Sequence, residues 1–272
     1  MCQASRHAMN KSERLEHLLP NGRGVWIPID HGMSDYPTQG LEDTEELIRQ
    51  LVSAGVNAIV AQKGVVSHYN YLCKDSSTSM VIHFSASTRH GGRDASRKVS
   101  VGQASEVEAR GGLAASAQVN IGSEGEAEML EAMGDLTTQC HQLGLPVLGM
   151  IYARGPNLNI VEGDPTRGVA HAARVAFEIG CDVGKTTWTG DEESFSQVTS
   201  AAPIPLLVAG GAKTNTHEML SMVEKAMKNG AAGVCMGRQV FAHDSPESVA
   251  KALMMIVHDG ASAEDAIKAV NL

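Results

Sequence analysis

Short apolar runs recur along the whole chain, separated by polar glycine-containing loops and by stretches with helical spacing. The runs are Gly24 to Asp30, Ala58 to Ala61, Met80 to Phe84, Ala114 to Val119, Pro146 to Tyr152, Asp182 to Thr187, Pro205 to Ala209 and Gly233 to Met236. They are mostly continuous rather than alternating, as strands covered on both faces must be. Between them the apolar spacing switches to that of an amphipathic helix. Leu47, Ile48, Leu51 and Val52 precede Ala54-Gly55, and Ala127, Leu130, Met133 and Leu136 precede Gly144. Met219, Val223, Ala226 and Met227 precede Asn229-Gly230. Ser123, with Glu126 three residues on, predicts one helix start, and Asp164-Pro165 predicts another. Thr88 to Lys98 is polar and predicts a loop, Ala104 to Arg110 a short helix, and Pro246–His258 and Ser262–Val270 two closing helices.

Eight strands alternating with helices over about 250 residues predict an α/β protein, a single-domain TIM (β/α)8 barrel. The barrel is expected over residues 24–272, after a lead-in at 1–23 whose short helix stops at Pro20-Asn21-Gly22. A doubly wound open sheet fits the same alternation, but no GxGxxG follows the first strand.

Aromatic residues are 4% of the chain, so the core must be built from Ala, Val, Ile, Leu and Met. A net charge of −9 leaves no basic face for nucleic acid, though a few local cations can still hold an anionic substrate. Five cysteines without a CxxC pair give neither a disulfide framework nor a zinc knuckle, and point to a reducing cytoplasm. Residues 1–11 carry no signal-peptide core, and no run is long enough to span a membrane.

In a barrel the chemistry gathers at the C-terminal ends of the strands. Those ends carry Asp30 and His31, Lys63, His83 and Ser85, Asn120, Tyr152 and Arg154, Lys185, then Gly210, Gly211 and Lys213, and finally Gly237 and Arg238. The glycines after the seventh and eighth strands either permit tight turns or expose amides that hold a phosphate. Lys185 taken alone reads as a strand-end lysine with its ammonium in water. Inside a mouth shared with other cations, burial and like charge would lower its pKa and free an amine for Schiff-base chemistry. Tyr152 and Asp30 are then the candidate proton carriers, or else caps of nearby backbone. Asp30 and His31 share one strand end and His83 stands at another, without HxH or HExxH spacing, so neither a metal nor any other cofactor is expected. Cys181, Cys235 and the methionines are expected in the core.

At these residues the sequence resembles the archaeal-type class I aldolases, which include fructose-bisphosphate aldolase and 2-amino-3,7-dideoxy-D-threo-hept-6-ulosonate synthase. The resemblance runs from about Gly24 to Gly260. It is carried by Pro28-Ile29-Asp30-His31-Gly32, Gln62-Lys63-Gly64, His83 to Thr88, Val119 to Ser123, Tyr152 to Gly155, Lys185-Thr186, Thr189-Gly190-Asp191, Val208 to Gly211, Lys213-Thr214 and Gly237-Arg238. It implies a metal-independent Schiff-base barrel with Lys185 as the covalent lysine, Tyr152 as proton donor and Asp30 as proton acceptor. It also implies that Asp30, His31, Gly32, Met33 and Ser34, with Lys63, Tyr152, Ala153, Arg154, Gly210, Gly211, Lys213, Gly237 and Arg238, line the site for a phosphorylated sugar or ketose. The stretches Ser85 to Arg89 and Val119 to Ser123 look more like the synthases, which use L-aspartate semialdehyde as the aldehyde acceptor. A homo-oligomer such as a decamer is implied as well. Ala153 stands where the family usually has Pro. Gly184 stands where a bulky apolar residue usually precedes the lysine, which is expected to loosen the strand there.

Overall fold

The eight apolar runs pair side by side, all parallel, and close on themselves in this computed structural model, which describes residues 9–36, 39–159, 165–211 and 214–272. The strands are β1 (Gly24–Pro28), β2 (Ala58–Gln62), β3 (Ser79–His83), β4 (Gly112–Ile121), β5 (Val147–Ala153), β6 (Val183–Thr187), β7 (Leu206–Ala209) and β8 (Gly233–Cys235). The ring runs β1-β8-β7-β6-β5-β4-β3-β2, so every strand pairs with its sequence neighbour and β8 closes on β1 through Gly24–Gly233 and Trp26–Cys235. This is the (β/α)8 barrel that the alternation predicts.

Helices cover the outside: α1 (Lys11–Leu18), α2 (Thr44–Ser53), α3 (Lys63–Tyr69), α4 (Glu106–Ala109), α5 (Glu126–Leu143), α6 (Pro165–Glu178), α7 (Glu192–Thr199), α8 (Thr216–Lys228), α9 (Arg238–Phe241), α10 (Pro246–Met254) and α11 (Ala263–Val270). Leu47, Ile48 and Leu51 of α2, Met133 and Leu136 of α5, and Leu220 and Val223 of α8 share one outer core with outward-facing strand residues such as Ile27, Ile59 and Ile82. A second core fills the barrel itself: Trp26, Val60, Val81, Leu148, Val183 and Leu207 meet inside.

The lead-in belongs to that inner core. Leu18 and Leu19 at the end of α1 pack into it from the N-terminal side of the strands, and the Trp26 indole donates to the Leu18 carbonyl at 2.9 Å. A capping box at Asn10 and Glu13 starts α1. Arg14, 2% exposed, donates to the Met9 carbonyl at 3.1 Å and pairs with Glu108. Lys11 pairs with Asp182 at 2.7 Å. The segment therefore works as a plug in the barrel floor.

Some elements differ from the sequence reading. Ser123 does not cap α5: its hydroxyl donates to the Asn120 carbonyl, while Glu126 accepts the Gly122 N–H and Gly125 sits at the cap. The polar stretch after β3 is a short antiparallel ribbon, Ser85–Ala86 against Val99–Ser100, carrying 3₁₀ turns over Arg89–Ser96. The short helices α3 and α7 carry too few apolar positions to announce themselves, although Asp191 caps α7 through the Ser194 N–H at 2.9 Å. Asp164, expected to cap α6, lies outside the described residues.

Candidate active site

The C-terminal ends of the strands surround a cavity of about 770 Å³. Side chains alternate along β6, so Val183 enters the inner core and Lys185 follows on the same face two residues further up. Lys185 stands in register with Met150 of β5 and Leu207 of β7. Tyr152 hydrogen-bonds its amine, and Cys235 at the end of β8 faces it from the neighbouring wall. Asp30 opens a 3₁₀ turn after β1 and completes the group.

The electrostatics correct one expectation. Burial alone would push the Lys185 amine down, as the sequence reading supposes. Cys235, Tyr152 and the carboxylate of Asp30 together outweigh that and hold it above the ordinary lysine value. Burial raises the Cys235 thiol, so it stays neutral and polar. Burial opposes the charge on Asp30, but His83, His31 and Lys185 together pull its carboxyl below the usual range and keep it ionised. Burial also depresses His83 and His31, leaving both rings neutral at pH 7. His83 Nδ1 lies 3.0 Å from Ser116 Oγ and its Nε2 3.7 Å from Asp30. His31 Nδ1 is likewise 3.7 Å from Asp30. The resting pair is thus Lys185 ammonium against Asp30 carboxylate.

The far walls are built differently. After β7, Gly211 adopts a left-handed φ of 64°. After β8, a side chain at Gly237 would begin 2.4 Å from the Pro28 carbonyl oxygen and 2.7 Å from the His31 ring, so the backbone there must be bare. Arg238 follows it and lines the cavity. After β5, the Arg154 guanidinium lies 4.4 Å above the Tyr152 ring and donates to Asn120 Oδ1 at 2.8 Å.

Of the predicted site residues, Asp30, His31, Ser34, Tyr152, Ala153, Arg154, Lys185, Gly210, Gly211, Gly237 and Arg238 line one cavity. Gly32 and Met33 sit on the adjoining turn without lining it, and Met33 points to solvent. Lys63 starts α3 and turns to Glu106 at 3.2 Å, away from the cavity. Lys213 lies outside the described residues. The sequence reading missed several lining residues, two of them able to act on charge. Cys235 was assigned to plain core, and Lys98 was hidden in a polar stretch that folds back over the mouth as the ribbon. Only the rule that barrel loops after β3 return to the mouth could have pointed to Lys98.

A family profile for the DeoC/LacD aldolases matches residues 25–243. The chain belongs to the DeoC/LacD aldolase family. Among its relatives, 2-amino-3,7-dideoxy-D-threo-hept-6-ulosonate synthase 1 of Archaeoglobus fulgidus is 37% identical over 96% of each chain. The 2-amino-4,5-dihydroxy-6-oxo-7-(phosphonooxy)heptanoate synthase of Streptomyces griseus is 35% identical over 91% of this chain and 89% of its own. An archaeal fructose 1,6-bisphosphate aldolase superposes with a TM-score of 0.82 at 27% identity, over 92% of this chain and all of the other. A Schiff-base-forming fructose-1,6-bisphosphate aldolase gives 0.81 at the same identity, again over 92% of this chain and all of its own. Among the described residues no helix of this family member is long and apolar enough to cross a membrane, and no cluster of His, Cys, Asp and Glu is arranged to hold a metal.

Proposed function

We propose that this DeoC/LacD aldolase joins a phosphorylated ketose donor to an aldehyde through a Schiff base on Lys185, most like the 2-amino-3,7-dideoxy-D-threo-hept-6-ulosonate synthases, with L-aspartate semialdehyde as acceptor. The observation that carries it is the Lys185–Tyr152–Asp30 group at the bottom of a largely cationic cavity. An ammonium and a ketone give an iminium and water with no change of charge. The nitrogen surrenders two protons to the carbonyl oxygen, which leaves as water. Asp30 carries one proton from the nitrogen to the oxygen, and Tyr152 delivers the other and is reprotonated from the nitrogen, so both groups return to their starting states. A site that favours the Lys185 cation also favours the iminium that replaces it. The iminium withdraws electrons from the adjacent carbon, Asp30 takes the proton there, and the resulting enamine attacks the aldehyde carbon. Tyr152 then protonates the new alkoxide. Gly210-Gly211 and Gly237-Arg238 hold the donor phosphate with backbone amides and a guanidinium.

Similarity to the synthases over nearly the full length, at 35–37% identity, supports condensation over cleavage. Cleavage of fructose 1,6-bisphosphate is the second reading, favoured by the backbone match to the archaeal aldolases. A cytoplasmic setting suits the described cysteines, which are buried free thiols. Borohydride reduction with dihydroxyacetone phosphate should add mass at Lys185, and EDTA should leave turnover intact. Absence of an adduct with every ketose phosphate tried would sink the proposal. A turnover assay comparing fructose 1,6-bisphosphate cleavage with condensation onto L-aspartate semialdehyde separates the two readings.

A further inference from the structure

The cavity is cationic on two opposite walls. Among the described residues Lys98, Arg154, Lys185 and Arg238 line it against one carboxylate, Asp30, on a chain whose net charge is −9. The barrel order sets β7 and β8, with their glycine turns and Arg238, across the mouth from β3 and β4. Lys98 reaches the second wall on the ribbon that follows β3. Arg154 is tied to the same wall through Asn120 at the end of β4.

A donor phosphate on the β7–β8 wall leaves the second wall without an anion. The Lys98 ammonium is hydrogen-bonded only to hydroxyls among the described residues, Ser87 at 2.6 Å and Ser34 at 3.4 Å. Burial and the neighbouring Arg154 outweigh the pull of Asp30 and press its pKa down. Bond formation has a direction as well. With the imine carbon fixed on Lys185, the carbon that attacks the aldehyde lies on the side of the imine opposite the phosphorylated arm. The far end of the acceptor therefore points at Lys98 and Arg154.

We propose that Lys98, together with Arg154, binds the carboxylate of the aldehyde acceptor and so selects an anionic, amino-acid-like aldehyde over a neutral one. The proposal rests on the aldolase reading above. A lysine and one guanidinium flanked by serine hydroxyls match the two oxygens of a carboxylate. The opposite wall, with two glycine turns, is the one built for phosphate.

The test uses the full chain with Lys98→Met and Lys98→Arg, and three acceptors: L-aspartate semialdehyde, glyceraldehyde 3-phosphate and propanal. Lys98→Met should raise KM for L-aspartate semialdehyde and lower its kcat/KM roughly 10- to 100-fold more than that for propanal, the scale of one charge-assisted hydrogen bond. Lys98→Arg should restore most of that discrimination. An equal loss with propanal would assign Lys98 a purely structural role and overturn the proposal. A larger loss with glyceraldehyde 3-phosphate than with the semialdehyde would overturn the carboxylate assignment. Borohydride trapping of dihydroxyacetone phosphate runs alongside. A wild-type chain that forms no adduct fails the aldolase reading itself, whereas an adduct without acceptor discrimination fails only this inference.

Discussion

Gly149 on β5 and Gly184 on β6 stand opposite each other in register, and both turn their bare faces toward Ala176 of α6. A Cβ at Gly149 would lie 2.6 Å from Cys181 Sγ, and one at Gly184 would lie 2.6 Å from Leu206 Cδ2. The space beside Gly184 is therefore filled from β7, and the strand that carries Lys185 is packed rather than loosened, contrary to the sequence expectation. Gly184→Val should overpack this layer and lower unfolding stability by about 1–3 kcal/mol. Gly184→Val combined with Leu206→Ala should recover part of the loss, because each change acts on the same space. Urea unfolding of the single and double variants checks this, and strictly additive effects would contradict it.

Asp30 is the full negative charge that holds Lys185 as an ammonium. Asp30→Asn removes it, so the Lys185 amine should titrate at a lower pH than in the wild type. Acylation of Lys185 by acetic anhydride, followed by mass across a pH series, should shift toward acid. Turnover should nevertheless fall by about 10²- to 10⁴-fold, because the variant has lost its proton acceptor. A slower acylation at neutral pH together with unchanged turnover would remove Asp30 from both roles.

The barrel and most of its mouth were legible because continuous apolar runs ending in polar residues are what a parallel sheet buried on both faces requires. Tyr152 and Lys185 follow from alternation along β5 and β6, which places them on the inner face, and Asp30 from its place just past the C-terminal end of β1. What stayed hidden depends on contacts distant in sequence. The pKa direction of Lys185 is set by Cys235, Tyr152 and Asp30, which come from three other strand ends, and Cys235 looks like any small core residue until β8 is paired with β1. Lys63 has the right strand position, but a helix begins there and Glu106 captures its amine. Lys98 is far from any strand end that the apolar pattern reveals.

The floor plug has a measurable cost of removal. Leu18 is fully buried against the inner core, so Leu18→Ala should destabilise the barrel by about 2–5 kcal/mol. Arg14→Met keeps much of the volume but leaves the Met9 and Leu113 carbonyls without their donor, for about 1–3 kcal/mol. Glu108 is 38% exposed and can return to water, so the loss should stop short of that for an uncompensated buried charge. Thermal melts of the two variants at equal protein concentration test the order, with Leu18→Ala expected below Arg14→Met.

The neutral histidines beside Asp30 make stability depend on pH in a defined window. Burial lowers the His83 pKa below 6.5 in the folded state, while an unfolded chain keeps the ordinary value. Between the two values the unfolded state binds more protons, so stability is full above about pH 6.5 and falls as the solution is acidified through that value. His31 and His258 are lowered in the same direction and add to the slope. Asp30, with its depressed carboxyl, contributes only at lower pH, below about 4, so the two effects separate. His83→Asn keeps a polar atom near Ser116 and removes one titrating ring. Its melting temperature should lie below the wild type's at pH 7.5, yet drop less between pH 7.5 and 5.5. A variant whose melting temperature falls as steeply as the wild type's over that interval would show that His83 is not part of the titration.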